Sequence, residues 1–288
     1  MPARIHLTLP SFGGWADGDW GRVLDLARAA EAAGMDGVVV PDHVAIGPRT
    51  DRYPAGPFPL PVDAPWLDPL TMLTAVAAVT ERLRLGTGVL IGPARPPVVL
   101  AKTVATLDVL SGGRVDLGVG TGWQREELEA AGIPWAERGQ RLTDGITACR
   151  ALWEGDGPVT VDLPTVAFTE LRSAPAPLQR PLPVLFSGTL HARNRHRIVE
   201  LGDGWIPIMG ATVADVRAGA AELRTAFSAA GRDPDALRVR APVDADLASV
   251  TDLVAAGVTD LVVNLRHAGG DPGRLPDLVS QVQALSPA

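Results

Sequence analysis

The chain holds one cysteine, Cys149, in 288 residues, so no internal disulfide can form and no zinc-finger spacing exists. It also lacks a positive excess: 26 lysines and arginines face 33 aspartates and glutamates, a formal net charge of −7. That balance offers no global field for nucleic acid. No apolar run approaches the ~20 residues a membrane helix needs. The opening MPARIHLTLP has no basic region followed by a long apolar segment, which is the pattern of a secretory signal. These absences point to a cytoplasmic protein that meets a small molecule, with no nucleic acid and no membrane as partner. Two catalytic signatures are missing too. No histidines have H-E-x-x-H spacing, and no G-x-S-x-G turn presents a serine. No metal site is expected. Cys149 falls at helical spacing with Leu142, Ile146 and Trp153, a pattern for core packing rather than catalysis.

What is present is alternation. Hydrophobic residues make up 46% of the chain, enough for a large core. Eight short runs read as strands: 4–10, 37–41, 82–91, 114–120, 182–187, 204–209, 237–243 and 259–265. Each is nearly continuous in apolar residues, as expected where both faces of a parallel sheet are covered. Helical stretches lie between them with legible ends. Asp68-Pro69 is a cap and first-turn pair, Pro96-Pro97 opens a helix that Gly112-Gly113 closes, and Gly34 ends the helix begun near Trp20. Eight strand–helix repeats favour a closed (β/α)8 barrel over residues 1–288 as one domain, although an open doubly wound sheet gives similar alternation. Two long insertions break the rhythm, 44–66 after the second strand and 154–181 before the fifth, the latter with a hairpin pattern. Loops of that length usually carry binding elements, and the first leaves the strand end where barrel enzymes place their sites.

Four segments can carry chemistry. PDHV places Asp42 and His43 at the end of the second strand, and histidine suits proton transfer near neutrality. GTGVLIG (86–92) puts small residues inside the third strand, a mark of a bulge or close ligand approach. GVGTGW (118–123) spells G-x-G-x-G rather than the full dinucleotide fingerprint, so it reads as a strand end where backbone nears a ring or phosphate, or as a tight turn. The fourth is LFSGTLHARNRHR (185–197), where three arginines and two histidines crowd into seven positions of an acidic chain. Gly188 and Thr189 precede a helix whose free N–H groups attract phosphate, with Arg193 adding charge and the other arginines solvated or paired with neighbours such as Glu200. His6 reads as packed in the first strand, and His267 could reach a site from the last.

Taken together, these segments resemble the bacterial luciferase-like superfamily of flavin and deazaflavin oxidoreductases. The match runs through RLRLGTGVLIGPARPPVVLAKTVATLDVLSGGRVDLGVGTGWQREELEAAGIPWAERGQRL (82–142), EAAGMDGVVVPDHV (31–44) and ELGDGWIPI (200–208), and the first block is similar to members assigned to coenzyme F420. The resemblance implies a (β/α)8 barrel, often dimeric, with its cofactor at the C-terminal face. It implies His43 as the acid–base residue, Asp42 against the deazaflavin, and Gly88 and Val89 as a bulge with a non-prolyl cis peptide behind the ring. Ile91, Thr121 and Gly122 would line the cofactor, and Gly188, Thr189 and Arg193 would hold its phosphate end. A glutamate that follows GTG in the family's sugar-phosphate dehydrogenases is replaced here by Trp123, with Glu126 and Glu127 one turn later. Trp123, Trp66 and Phe58 are then expected to form an apolar substrate pocket. The implied activity is hydride transfer between F420 and a small organic substrate. The alternatives are a monooxygenase using reduced FMN and a cofactor-free binding protein on the same fold.

Overall fold

The structure is a computed structural model that describes residues 2–13 and 18–286. Among the described residues eleven strands occur in chain order: β1 (Arg4–Thr8), β2 (Gly37–Val40), β3 (Arg84–Thr87), β4 (Leu90–Ile91), β5 (Val115–Gly120), β6 (Val159–Leu163), β7 (Val166–Leu171), β8 (Val184–Ser187), β9 (Gly204–Ile206), β10 (Arg238–Pro242) and β11 (Asp260–Asn264). Among the same residues they are accompanied by nine α-helices: α1 (Gly21–Ala32), α2 (Pro69–Ala77), α3 (Pro97–Leu110), α4 (Arg125–Ala130), α5 (Arg138–Glu154), α6 (Ala192–Leu201), α7 (Val213–Ala229), α8 (Val250–Ala255) and α9 (Leu275–Leu285).

Parallel pairing runs β1–β2–β3–β5–β8–β9–β10–β11 and closes back onto β1, giving an eight-stranded (β/α)8 barrel. The sequence reads 82–91 as one strand, but the backbone breaks it at Gly88-Val89, a cis peptide, and resumes as β4. Barrel strand three is thus β3 and β4 in succession, both paired to β5. The sixth run, read as 204–209, ends at Ile206 because Pro207 has no N–H to continue the ladder. The insertion before β8 contains the expected hairpin, β6 against β7, antiparallel and outside the barrel.

Burial explains the continuous apolar runs. All four residues of β2 and all six of β5 are buried, because helices cover the outer face and side chains fill the interior. Helix starts follow local chemistry. The Asp68 carboxylate accepts from the Thr71 N–H, and Thr212 and Asp215 form a reciprocal capping box on α7. Cys149 is buried in α5 with its thiol against the Pro97 carbonyl at 3.4 Å, and burial pushes the thiol up to about 12.

The lower half of the barrel interior is ionic. Asp116 accepts from Arg84, Arg238 and Arg240, and Asp260 accepts from Arg4, Arg238 and the His6 ring at 2.8 Å. Both carboxylates are fully buried, and their arginine partners hold them far below the usual carboxylate range even though burial alone would raise them. His6 therefore lines the interior as part of a structural network.

Candidate active site at the barrel mouth

His43 follows β2 at its C-terminal end and meets residues that follow β5. It lies three residues beyond Val40, the last residue of β2, and Val40 pairs with Thr87 beside the Gly88-Val89 break. His43 is buried, and both ring nitrogens are used. Nδ1 meets Oε2 of Glu127 at 2.9 Å, while the indole N–H of Trp123 donates to Nε2 at 3.2 Å. An indole nitrogen can only donate, so Nε2 is the acceptor and Nδ1 carries the proton that it gives to Glu127. The second oxygen of Glu127 accepts from the N–H groups of Val44 at 2.5 Å and Ala45 at 3.2 Å. This buried carboxylate on α4 thus fixes both the ring and the first residues of the long loop. Gln124 adds a two-way clasp, with Gly47 N–H donating to its Oε1 and its Nε2 donating to the Gly47 carbonyl. Glu127 therefore reaches His43, whereas Glu126 packs beside Gly47.

Aromatic rings enclose the histidine. Ring centroids of Trp66, Trp123 and Phe58 lie 4.7, 5.6 and 6.3 Å from His43, each edge to face. Phe12 stacks on Trp66 at 4.6 Å, and Tyr53 meets Phe58 at 5.3 Å and Trp123 at 5.2 Å. Aromatics are only 5% of the chain, yet five of them gather around one imidazole. The three pocket residues expected from sequence are therefore brought together. Phe12 and Tyr53 join them without a sequence signal, because both lie in irregular segments far apart in the chain. The Tyr53 hydroxyl donates to the Met209 sulfur at 3.1 Å, and burial pushes that phenol up from its usual value.

Asp42 faces the other way. Arg95 donates to both of its oxygens, at 2.6 and 3.0 Å, and the Ile91 N–H donates to Oδ2 at 2.8 Å. Arg95 also reaches Asp68 at 2.8 Å. Asp42 thus clamps strand three just beyond its break and ties it to the start of α2. The two carboxylates more than offset the burial that would lower the Arg95 guanidinium, and hold it above its usual value. Around the break, Gly88 is exposed at the mouth, Val89 is half-buried and Ile91 is buried. Thr121 and Gly122 follow β5 on the neighbouring strand.

The basic stretch divides into roles. Gly188 has φ +117°, open to glycine and strained for other residues, and Thr189 beside it is exposed. His191 caps α6 by accepting from the Asn194 N–H. Arg197 turns inward, donating to Thr143 Oγ1 at 2.7 Å and the Gly139 carbonyl at 2.7 Å, and burial lowers its guanidinium with help from Arg193. Arg195 pairs with Glu222 rather than Glu200. Arg193 is exposed and has no partner among the described residues. His267 caps the turn after β11, its Nδ1 accepting from the Asn264 N–H and its Nε2 donating to the Asp244 carbonyl, and it makes no contact with His43 among the described residues. A cleft lined by Glu137, Gln140, Arg141 and residues 163–167 lies beside the outer hairpin and shares no residue with the mouth. Among the described residues no acidic, histidine or cysteine cluster could hold a metal ion, and no helix is long and apolar enough to cross a membrane.

Known proteins resemble the chain over most of its length. The chain matches the luciferase-like monooxygenase family over residues 4–255. An uncharacterised protein of Mycobacterium tuberculosis is 36% identical over 253 residues, covering 85% of this chain and 87% of the relative. A phthiodiolone/phenolphthiodiolone dimycocerosates ketoreductase of the same species is 33% identical over 214 residues, 72% of this chain and 56% of the relative. Among solved structures, an F420-dependent secondary alcohol dehydrogenase, bound to an F420-acetone adduct, superposes with a TM-score of 0.80 over all of both chains. Its identity is 17%, so that likeness is one of fold. With a family match spanning most of its length and relatives above 30% identity, the chain belongs to the luciferase-like family of oxidoreductases and monooxygenases.

Proposed function

We propose that the protein transfers hydride between coenzyme F420 and a small, partly apolar alcohol or carbonyl compound at the C-terminal mouth of the barrel. The observation that carries this reading is the placement of His43, a proton-handling group, inside an aromatic enclosure just beyond the C-terminal end of β2. The residues fit a flat ring with an anionic tail. Gly88 and Val89 offer backbone and a small side chain at the mouth, and Asp42 holds that backbone through Ile91. Thr121 and Gly122 would border the ring. Gly188, Thr189 and the unpaired Arg193 would receive the phosphate end and the acidic tail.

F420 bound there would supply the two-electron hydride chemistry of its deazaflavin ring. The chain's own residues do the rest. Trp66, Phe58 and Trp123 would hold the apolar part of the substrate and exclude water, and His43 would take or return the hydroxyl proton. The ketoreductase relative and the alcohol dehydrogenase of like fold favour substrates at the carbonyl–alcohol level. A second reading, a monooxygenase using reduced FMN, has the family's description behind it.

The test is a pair of fluorescence titrations, one with F420 and one with FMN. Micromolar or tighter binding of F420 with weak FMN binding is expected. Thr189→Glu and Arg193→Glu should each weaken F420 by about tenfold, or ~1.4 kcal/mol. Preference for FMN would transfer the reading to the monooxygenase, and binding of neither would leave a cofactor-free protein.

A further inference from the structure

We infer that Glu127 is a positioning residue for His43: it locks the imidazole in the Nδ1–H form, so that the lone pair able to accept a proton is the Nε2 one. The chemistry rests on the hydride-transfer reading, whereas the lock rests on this structure alone. Position 123, directly after the glycine turn, carries tryptophan, which cannot serve as a proton carrier. An acid arrives instead from one turn later, on α4. Glu127 is buried and receives three hydrogen bonds, one from the ring and two from the backbone of Val44 and Ala45. Two fixed N–H donors on Oε1 leave Oε2 as an acceptor, so the ring must donate to it. From the far side the Trp123 N–H demands a lone pair on Nε2. Both neighbours select the same form of the ring.

The proton balance follows. For oxidation of a substrate alcohol, a bound deazaflavin would supply the two-electron acceptor for the hydride of the carbon, and the part of His43 would be to take at Nε2 the proton released as the O–H bond breaks. The resulting imidazolium would keep its Nδ1–H donated to Oε2 of Glu127. In the reverse direction Nε2 returns the proton to the new alkoxide. The substrate oxygen and the Trp123 N–H compete for one lone pair, so the indole holds the position until substrate replaces it.

A swap of one atom type tests the lock. In Glu127→Gln, the Val44 and Ala45 N–H groups still require an oxygen at the Oε1 place, which turns the side-chain NH2 toward His43. The ring would then have to accept at Nδ1 and carry its proton on Nε2, facing the Trp123 donor. Protein labelled with 15N-histidine, its His43 signals identified by their loss in His43→Asn, reports which nitrogen is protonated without any cofactor. The expected result is Nδ1–H in the wild type, Nδ1–H again in Glu127→Asp, and Nε2–H in Glu127→Gln. F420 titration of the same three proteins should give dissociation constants within about twofold, since Glu127 lies behind the histidine. Turnover of cyclohexanol with F420 should fall by 10²-fold or more in Glu127→Gln and recover in part in Glu127→Asp. A wild type with Nε2–H, or a Glu127→Gln protein that keeps Nδ1–H, overturns the inference. The predicted forms in a protein that does not bind F420 would sink the hydride-transfer reading and leave the lock standing.

Discussion

Two histidine–carboxylate pairs sit in one barrel and do different work. His6 meets Asp260 at 2.8 Å in the lower interior, and His43 meets Glu127 at 2.9 Å at the mouth. Pair geometry does not distinguish them; the second ring nitrogen and the surroundings do. Among the described residues Nδ1 of His6 has no partner, and the Gly37 backbone lies so near that a Cβ there would stand 2.6 Å from it. Arginines surround that pair, and burial first, then Arg240, hold the ring below its ordinary 6.5 against the opposing pull of Asp260. The second nitrogen of His43 is held by an indole at an aromatic rim. A histidine beside an acid is thus a strut where charge and packing close around it, and under the proposed function a proton carrier where its other face meets the Trp123 N–H.

Breaking the lower network should have the largest effect. Asp116→Asn leaves Arg84, Arg238 and Arg240 short of their shared counter-charge, at a cost of about 3–5 kcal/mol in urea unfolding. An unchanged urea midpoint would mean the arginines are compensated elsewhere. The two histidines should then separate cleanly. His43→Asn should lose about 10²–10⁴-fold in turnover with a urea midpoint near that of the wild type. His6→Asn should lose stability while retaining F420 affinity. A stability loss at His43 as large as at His6 would erase the distinction between strut and carrier.

Acid sharpens it further. Folding depresses His6, Asp116 and Asp260, so the unfolded chain binds more protons and stability falls as pH falls. The His6 contribution fades below about pH 6.5, and those of the aspartates only below about pH 4. The urea midpoint should therefore drop between pH 7.5 and 5.5, and His6→Gln should show a smaller drop. Equal drops would assign the sensitivity to other groups. The smallest effect belongs to Cys149. Its buried thiol, pushed up to about 12, should resist a thiol reagent at pH 8 until the protein unfolds.

Much of the scaffold was readable from the chain because period and punctuation act locally. Apolar runs marked the barrel strands, Asp68 and Pro97 marked helix starts, and the insertions stood out by composition. The break in strand three was expected from small residues and the family likeness, yet its effect on strand length was not. At the site, the sequence points to His43, Trp66, Trp123 and Phe58. Glu127 and its neighbour Glu126 are equivalent in the sequence, because i to i+1 neighbours on a short helix cannot be told apart without knowing which faces inward. The partner of Asp42 was hidden for another reason: Arg95 lies 53 residues away, and long-range ion pairs leave no local trace. Arginines in the basic stretch were legible as a cluster but not as individuals, since Arg197 points into the protein and Arg193 out of it.

The clasp formed by Gln124 and Glu127 has a consequence for how such a protein can change. It holds the base of the 44–66 loop at Val44, Ala45 and Gly47, while Tyr53, Phe58 and Trp66 ride on the part beyond. Under the proposed function, substitutions in the distal loop would change the aromatic walls around His43 while Glu127 and Gln124 keep the base of the loop in place, so that selectivity and reactivity could be altered separately.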